Sequence, residues 1–240
     1  MLIIITGTIS PDTNVGQLTI RDSSERLRQY VDALKALIEQ KPDATIIFCD
    51  NSGYDMQKLN ELKKIASAND VCLELLSYTA DSKKVVKYGK GYGEGEIIKY
   101  VIDNSRYITD DEYIVKITGR LVVDNISDIL RKLKRDRIYF NIPNIHRRDI
   151  FDTRLYAMPL KTYKKFFLDK YKKVDDNGGY YLEHVFRDVV INNKLESTNF
   201  PCYPRIVGKS GTGGISYEYT EWKCKIRDIL SVFNFYGKTK

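Results

Sequence analysis

The residues best suited to binding a ligand lie between Lys90 and Arg120, where Gly91, Gly93 and Gly95 alternate with other residues. Glycine has no side chain, so the backbone of such a segment can approach a ligand closely. The sequence predicts a glycine-rich loop that runs into a helix, and the free N–H groups at the start of a helix attract phosphate. Lys90 and Gly91 are therefore candidate phosphate ligands. The alternative is a tight loop between two core elements.

A second glycine-rich segment, residues 204–214, contains Lys209 and Ser210 within a Gly-Lys-Ser sequence. It lacks the spacing of a Walker A loop, and no clear strand and helix flank it. We interpret it as a mobile C-terminal lid whose backbone N–H groups and Lys209 close over a diphosphate. The alternative is an unstructured glycine loop.

Two acidic residues are placed for different kinds of chemistry. Glu183 lies near the start of a predicted helix, after a glycine-containing loop at residues 175–179. A carboxylate there could act as a general base, or it could stabilise the helix dipole. Asp50 ends a predicted strand, where it could accept hydrogen bonds from ribose hydroxyls. The alternative for Asp50 is an Asx-turn or a cap.

These candidate residues lie between elements that the hydrophobic pattern indicates. Apolar runs predict strands at residues 2–6, 44–49, 71–76, 112–118, 137–142 and 150–158. Besides the helix after Gly95, helical periodicity predicts helices at residues 25–38 (capped by Ser23 or Ser24), 55–68, 126–133, 161–171, 180–191 and 219–235. The alternation of strands and helices in the first half predicts a parallel sheet with helices packed on it, in a Rossmann-like arrangement.

The composition indicates a single α/β domain. The chain has 240 residues, 42% of them apolar, and its apolar runs are too short for a transmembrane helix. The first ten residues are expected to form a strand rather than a signal peptide, because they lack a basic start and a cleavage site. Four widely spaced cysteines favour a reducing cytoplasm. The net charge of +7 suits phosphorylated molecules, anionic lipid or nucleic acid, but no nucleic-acid-binding motif accompanies it.

The order of these motifs resembles bacterial nucleotide-sugar-dependent glycosyltransferases with a GT-A-type fold, which are encoded in capsule and lipopolysaccharide loci. The shared features are an N-terminal strand, Asp-Asn-Ser-Gly at residues 50–53, Lys-Gly-x-Gly-Glu-Gly at residues 90–95 and Val-Lys-Ile-Thr-Gly-Arg at residues 115–120. The resemblance implies a Rossmann-like α/β fold with a mixed, mostly parallel sheet flanked by helices, and a C-terminal helical and loop extension. It also implies a donor half at about residues 1–125, and an acceptor half with a lid at about residues 126–240.

The resemblance also implies roles for residues at the strand ends. Four residues stand where such enzymes contact the base and ribose of the donor: Thr6, Gly7, Thr8 and Asp50. Glu183 stands where inverting members place a general base. Asp152, in a segment similar to the acceptor side of these enzymes, is the second candidate for the base.

One motif of these enzymes is missing. They usually carry an Asp-x-Asp metal site after the central strand, whereas this chain has Thr118-Gly119-Arg120 there. Arginine and lysine can neutralise a diphosphate directly. We therefore expect Lys90, Lys116 or Arg120 to replace the metal, with Asp124 as a fallback ligand for Mn²⁺ or Mg²⁺. The alternative for Lys116 is a solvated side chain at the sheet edge.

The implied function is transfer of a sugar from a nucleotide diphosphate donor to a surface polysaccharide or lipopolysaccharide acceptor, without a metal and with inversion. The basic, aromatic run at residues 160–173 would then contact the inner membrane and a lipid-linked acceptor, or would form an amphipathic helix with its aromatic residues in the core. One alternative is a non-catalytic nucleotide- or glycan-binding scaffold of polysaccharide assembly, which would not need Glu183. The other is a nucleic-acid-binding protein.

Overall fold

The computed structural model describes residues 1–16, 18–142, 150–209 and 216–232. The elements along the chain are β1 (Leu2–Gly7), α1 (Ser23–Glu39), β2 (Thr45–Asp50), α2 (Asn60–Ala68), β3 (Leu73–Ser77), α3 (Ser82–Tyr88), α4 (Lys90–Asn104), β4 (Tyr113–Thr118), β5 (Leu121–Val123), α5 (Ile126–Lys132), β6 (Ile138–Asn141), β7 (Asp152–Pro159), α6 (Leu160–Thr162), α7 (Leu182–Asn192), β8 (Ser197–Thr198), β9 (Ile206–Lys209), β10 (Ser216–Tyr217) and α8 (Glu221–Val232). A 3₁₀ turn, Met56–Leu59, precedes α2.

Seven strands form the main sheet in the order β3-β2-β1-β4-β7-β6-β8. Neighbouring strands are parallel except where β7 pairs with β4 and β6. All six residues of β1 are buried, as expected for a central parallel strand with both faces covered. This mixed, mostly parallel sheet with flanking helices confirms the predicted Rossmann-like α/β fold.

The two faces of the sheet have separate hydrophobic cores, because alternate side chains of a strand point to opposite faces. Ile3 and Ile5 of β1 belong to the core that α1 and α2 cover. Leu2 and Ile4 belong to the core that α4 and α7 cover. Among the described residues, no helix has both the length and the apolar character needed to cross a bilayer.

The three glycines of the segment that begins at Lys90 lie inside α4, so the predicted loop before this helix is wrong. The residue with positive φ is Gly89, at 99°, immediately before the helix. A Cβ on Gly95 would overlap the side chain of Tyr171, and a Cβ on Gly91 would lie 3.1 Å from Cβ of Leu182. The glycines therefore allow α4 to pack closely against the C-terminal half of the chain.

Part of the segment that was predicted to form a lid is a β-strand. Ile206–Lys209 forms β9, which pairs with β5 and β10 in a three-stranded antiparallel sheet. Backbone pairing of Val207 with Val122 holds this part of the segment in place. Residues 210–214 of the proposed lid, Ser210 included, lie outside the described residues.

The basic, aromatic run at residues 160–173 is not one regular helix. α6 has three residues, and a π-helical turn, Tyr163–Phe167, and a 3₁₀ turn, Lys170–Lys173, follow it. Tyr163, Phe167 and Tyr171 are buried. The run therefore places its aromatic stripe in the core, and Phe167 cannot contact a membrane.

Two differences in the helices have simple causes. The N-cap of α1 is Asp22 rather than Ser23 or Ser24, and its Oδ1 accepts a hydrogen bond from the Glu25 N–H at 2.7 Å. α3 was not predicted from the sequence. None of its residues is buried, so it has no core-facing side whose apolar residues would repeat with the period of a helix.

Candidate functional site

A cavity of about 820 Å³ opens at the carboxyl ends of β1 and β4. After β1, the chain forms β2 and then β3 on one side of β1. It then crosses to the other side of β1 and forms β4. Open α/β sheets bind ligands at such a switch point. Because β7 is antiparallel to β4, its first residues, Asp152 and Thr153, line the same cavity.

The structure brings most of the predicted site residues to this cavity. Its wall includes Thr6, Gly7, Thr8, Lys90, Gly91, Arg120, Asp152, Glu183 and Lys209. Asp50 and Lys116 are fully buried and are not part of the wall. Asp124 lines a separate cavity of about 400 Å³, with Arg205 and Asp228. Ser210 lies outside the described residues.

Asp50 organises the two loops that form one side of the cavity. Its Oδ1 accepts a hydrogen bond from the Ile9 N–H at 2.7 Å, and its Oδ2 accepts from the N–H groups of Ser52 at 2.8 Å and Tyr54 at 3.1 Å. The Ser52 hydroxyl donates to the same carboxylate. With both oxygens engaged, Asp50 matches the Asx-turn alternative rather than a ribose contact. The next residue, Asn51, reaches the wall and accepts a hydrogen bond from the Thr8 hydroxyl at 2.7 Å.

Lys116 lies in the centre of the main sheet, so the sheet-edge alternative is wrong. Its ammonium is 2.6 Å from Glu94 Oε1 and donates to Thr118 Oγ1 at 2.9 Å and to the Thr153 carbonyl at 2.8 Å. The three partners of Lys116 all line the cavity, and the charged one among them is Glu94, on the second turn of α4. Glu94 was not predicted from the sequence, although it lies within the glycine-containing segment.

A carboxyl group of the protein already lies at the N-terminus of α4. Asp176, from the loop before α7, accepts a hydrogen bond from the Gly91 N–H at 3.0 Å through Oδ2. Burial raises the pKa of Asp176, and the N–H groups of Gly91 and Lys90 oppose this rise. The expected phosphate position at this helix end is therefore occupied by a carboxylate of the protein, while Lys90 and Gly91 remain on the cavity wall.

Two guanidinium groups of the cavity wall bond to neutral oxygens. Arg120 Nη1 donates to the side-chain oxygen of Gln29 at 2.9 Å, and burial lowers the pKa of Arg120. Arg26 Nε donates to the Thr8 carbonyl at 2.6 Å, and Nη1 donates to the Ile20 carbonyl at 3.1 Å. Arginine stays protonated in proteins, so both groups bring positive charge to the site.

Arg26 was not predicted from the sequence. It precedes Tyr30 by one helical turn and lies on the buried face of α1, where a basic residue among apolar ones is unusual. This unusual position of Arg26 among apolar residues could have indicated from the sequence that Arg26 belongs to a functional site.

The two candidate bases have different surroundings. Glu183, on the first turn of α7, accepts a hydrogen bond from Thr153 Oγ1 at 2.8 Å, and burial raises its pKa. Asp152 forms a bidentate pair with Arg154, whose Nε and Nη2 lie 2.9 and 2.6 Å from Oδ1 and Oδ2. The Arg154 guanidinium also lies 4.5 Å from the centre of the Tyr217 ring. The carboxyl oxygens of Glu183 can therefore accept more additional hydrogen bonds than those of Asp152.

The end of β4 does not suit a divalent cation. Thr118 Oγ1 accepts a hydrogen bond from the ammonium of Lys116, and the guanidinium of Arg120 follows two residues later. Cations prefer carboxylate and carbonyl oxygens, and two positive side chains repel them. Within the described ranges, no three His, Cys, Asp or Glu side chains converge as metal ligands.

Comparison with known proteins shows a shared fold. No family model and no curated protein matches the chain. The structure is similar to the glycosyltransferase GlyE of Streptococcus pneumoniae TIGR4, with a TM-score of 0.50 and 11% identity, over 82% of this chain and 45% of that protein. The chain thus spans less than half the length of GlyE. At this identity the likeness establishes the GT-A-like fold alone.

Two further solved structures align with lower scores. One is a protein of Desulfovibrio desulfuricans G20 assigned as a nucleotide-diphospho-sugar transferase, with a TM-score of 0.47 and 10% identity, over 83% of this chain and 78% of that one. The other is the mannosyltransferase PcManGT of Pyrobaculum calidifontis in complex with GDP-Man and Mn²⁺, with a TM-score of 0.45 and 11% identity, over 82% of this chain and 54% of that one.

Proposed function

We propose that this chain is a glycosyltransferase that moves a sugar from a nucleotide diphosphate donor to a glycan. The observation that carries the proposal is one cavity at the switch point of a GT-A-like sheet, in which Arg26 and Arg120 lie with the half-buried carboxyl group of Glu183. A nucleotide diphosphate needs positive charge, and activation of a hydroxyl acceptor needs a base.

The donor side of the proposal rests on charge and size. Arg26 and Arg120 donate to neutral oxygens, so their charges are available to a diphosphate, which arginine binds in bidentate geometry. Lys90 and Lys209 add positive charge to the same wall. A volume of about 820 Å³ falls within the range for pockets that hold ligands the size of a nucleotide. The polar residues Thr6 and Thr8, at the end of β1, would contact the nucleoside.

The proposed base is Glu183. Burial raises its pKa, which makes its carboxylate more basic, and the Thr153 hydroxyl holds one of its oxygens in place. In the proposed reaction, Glu183 takes the proton of an acceptor hydroxyl while the hydroxyl oxygen forms a bond to the anomeric carbon. The bond from that carbon to the diphosphate breaks, and the electron pair leaves with the diphosphate, beside Arg120. This single displacement inverts the anomeric centre.

Asp152 has a different role in this proposal. Since both of its oxygens bond to Arg154, it would position that guanidinium, which lines the cavity beside Tyr217. Because the residues at the end of β4 do not suit a divalent cation, no step is assigned to a metal. From the sequence resemblance, we propose a surface polysaccharide or lipopolysaccharide glycan as the acceptor.

A nucleotide screen tests the donor site. The melting temperature of the protein would be measured with UDP, GDP, CMP and ADP, each with and without Mn²⁺ or Mg²⁺. We expect at least one nucleotide to stabilise the protein, by about 2.7 kcal/mol at 100 times its dissociation constant. The shift should persist in EDTA, because the proposed ligands of the diphosphate are basic side chains.

Arg120→Ala provides the matched comparison. It should reduce the affinity for the nucleotide by about tenfold or more, since it removes a charge-assisted contact worth about 1.5–3 kcal/mol. Arg131→Ala, on the exposed surface of α5, should leave the affinity unchanged. The proposal fails if none of the four nucleotides shifts the melting temperature. Loss of binding in EDTA would contradict the replacement of the metal by arginine.

A further inference from the structure

The C-terminal helix α8 has an exposed apolar stripe. Five large hydrophobic side chains are exposed among the described residues, and three of them, Trp222, Ile226 and Ile229, belong to this helix at 60%, 47% and 58% exposure. Their spacing of four and then three residues places them on one side of the helix. Water thus contacts a continuous apolar strip rather than scattered side chains.

The opposite side of α8 is attached to the rest of the protein. Cys224 is buried, and the guanidinium of Arg227 lies 4.4 Å from the centre of the Tyr203 ring. Both acidic residues of the helix bond to Arg205: Glu221 Oε1 and Oε2 at 2.9 Å each, and Asp228 Oδ2 at 3.1 Å. These contacts fix the orientation of α8, so the stripe points outward and the acids turn toward Arg205.

Lysines flank the stripe on both sides. With about 100° per residue, the three apolar side chains span about 60° of the helix circumference, with Lys225 and Lys223 about 40–60° beyond its two edges. Both lysines are exposed. The outward face of α8 therefore combines tryptophan and isoleucine with positive charge.

We propose that α8 docks on an anionic lipid surface and lies in the plane of the interface. A helix with a Trp- and Ile-containing face bordered by lysines inserts its apolar side at the headgroup boundary, while the lysines contact anionic headgroups. A second copy of the chain fits this face less well, because Lys223 and Lys225 of two identical faces would meet and repel. The docking does not depend on the proposed transferase activity. Since α8 begins shortly after the cavity residue Tyr217, docking would bring the cavity near lipid-linked molecules.

The test uses Trp222, the one tryptophan of the chain, as a reporter. The full-length protein is mixed with vesicles of phosphatidylcholine alone or of phosphatidylcholine with phosphatidylglycerol, and both fluorescence and co-sedimentation are measured. We expect a blue shift of the emission and co-sedimentation with the anionic vesicles, and weaker binding to phosphatidylcholine alone.

Two test variants, each with a matched control, show which side chains of α8 contact the vesicle. Replacing Trp222, Ile226 and Ile229 together with serine should abolish co-sedimentation, whereas Ile191→Ser, which removes an exposed isoleucine of α7, should not change it. Lys223→Gln with Lys225→Gln should weaken binding to anionic vesicles by about fivefold per lysine, or about 25-fold together. Lys63→Gln with Lys64→Gln on α2 serves as the charge-matched control.

Three outcomes would overturn the proposal. The first is an unchanged Trp222 emission with both kinds of vesicle. The second is co-sedimentation that persists in the triple serine variant. The third is a concentration-dependent blue shift without vesicles, accompanied by a dimer in analytical ultracentrifugation, which would assign the stripe to a second copy of the chain. The nucleotide screen is unaffected by any of these results, so the two proposals succeed or fail separately.

Discussion

The end of β2 and the start of α7 each place a carboxylate near the carboxyl edge of the main sheet, but the two groups have different surroundings. Asp50, at the end of β2, accepts hydrogen bonds from three backbone N–H groups and the Ser52 hydroxyl, and it is fully buried. Glu183, at the start of α7, accepts a side-chain hydrogen bond from Thr153 and lines the cavity. The first carboxylate uses its lone pairs to hold the loops of the wall, whereas the second has lone pairs left to accept further hydrogen bonds.

The difference shows how to separate structural from reactive carboxylates. A carboxylate that accepts several hydrogen bonds from N–H and O–H groups has most of its lone pairs in use, so it has little capacity left for chemistry. A carboxyl group that is desolvated and has few donors has a raised pKa, so its carboxylate is a stronger base, which suits proton transfer. Asp50 belongs to the first kind, and Glu183 has the properties of the second.

The largest effect is expected for Glu183→Gln. Glutamine can still accept the hydrogen bond from Thr153 but cannot take a proton, so the rate of sugar transfer should fall by about 10²–10⁴-fold. The rate would be measured with the donor that the nucleotide screen identifies. Glu196→Gln, an exposed substitution of the same type, should leave the rate unchanged. Full activity in the Glu183→Gln variant would show that Glu183 is not the base. If the native protein binds a nucleotide but shows no transfer activity, the result would favour a non-catalytic scaffold.

The next effect concerns stability and Asp50. Asp50→Ala leaves the N–H groups of Ile9, Ser52 and Tyr54 without their acceptor in a buried site, so the free energy of unfolding should fall by about 3–5 kcal/mol. Urea denaturation measures this change. Asp55→Ala, which removes an exposed cap of the 3₁₀ turn, should cost much less. Equal losses in the two variants would show that the contacts of Asp50 are not the main support of these loops.

The smallest effect is a pH dependence of stability. The pKa of Glu183 is raised above the ordinary 4.5 in the folded protein, so the folded state holds this proton more tightly than the unfolded state does. The contribution of this group to stability is therefore complete below pH 4.5 and is lost as the pH rises through the raised pKa. Glutamine does not titrate, so the Glu183→Gln variant does not lose this stability as the pH rises. The melting temperature of the variant minus that of the native protein should therefore increase from pH 4.5 toward neutral pH. A constant difference across this range would contradict a raised pKa at Glu183.

Strand and helix positions followed from local patterns. The predicted strands match β1 to β4, β6 and β7 within about two residues at each end, because each is an apolar run bounded by polar or glycine residues. α3 and the short strands β5, β8, β9 and β10 carry weaker patterns and were missed. The three glycines from Gly91 to Gly95 were placed in a loop because the sequence does not show that Leu182 packs against Gly91 and Tyr171 against Gly95.

The sequence predicted some residues of the candidate site but not others, as it did for the strands and helices. Residues directly after β1 and β4, such as Thr8 and Arg120, reach the cavity because the carboxyl ends of parallel strands meet at one edge of the sheet. Glu94 was missed because it lies on a helix, and only packing shows that its side chain faces the cavity. Arg26 also lies on a helix, and its position among apolar residues of α1 was a signal that went unused. Lys116 was expected to bind the diphosphate, with a solvated position at the sheet edge as the alternative. It is instead buried within β4, which pairs with both β1 and β7.

The sequence alone therefore determined the α/β class and which residues stand at the strand ends. Only the tertiary structure decided what each charged group does, because the deciding partners are far apart in the chain. Ile9 donates to Asp50, and Gly91 donates to Asp176, at sequence separations of 41 and 85 residues. Burial and hydrogen-bond donors at such separations determine whether a carboxylate is satisfied or reactive, and the fold sets both.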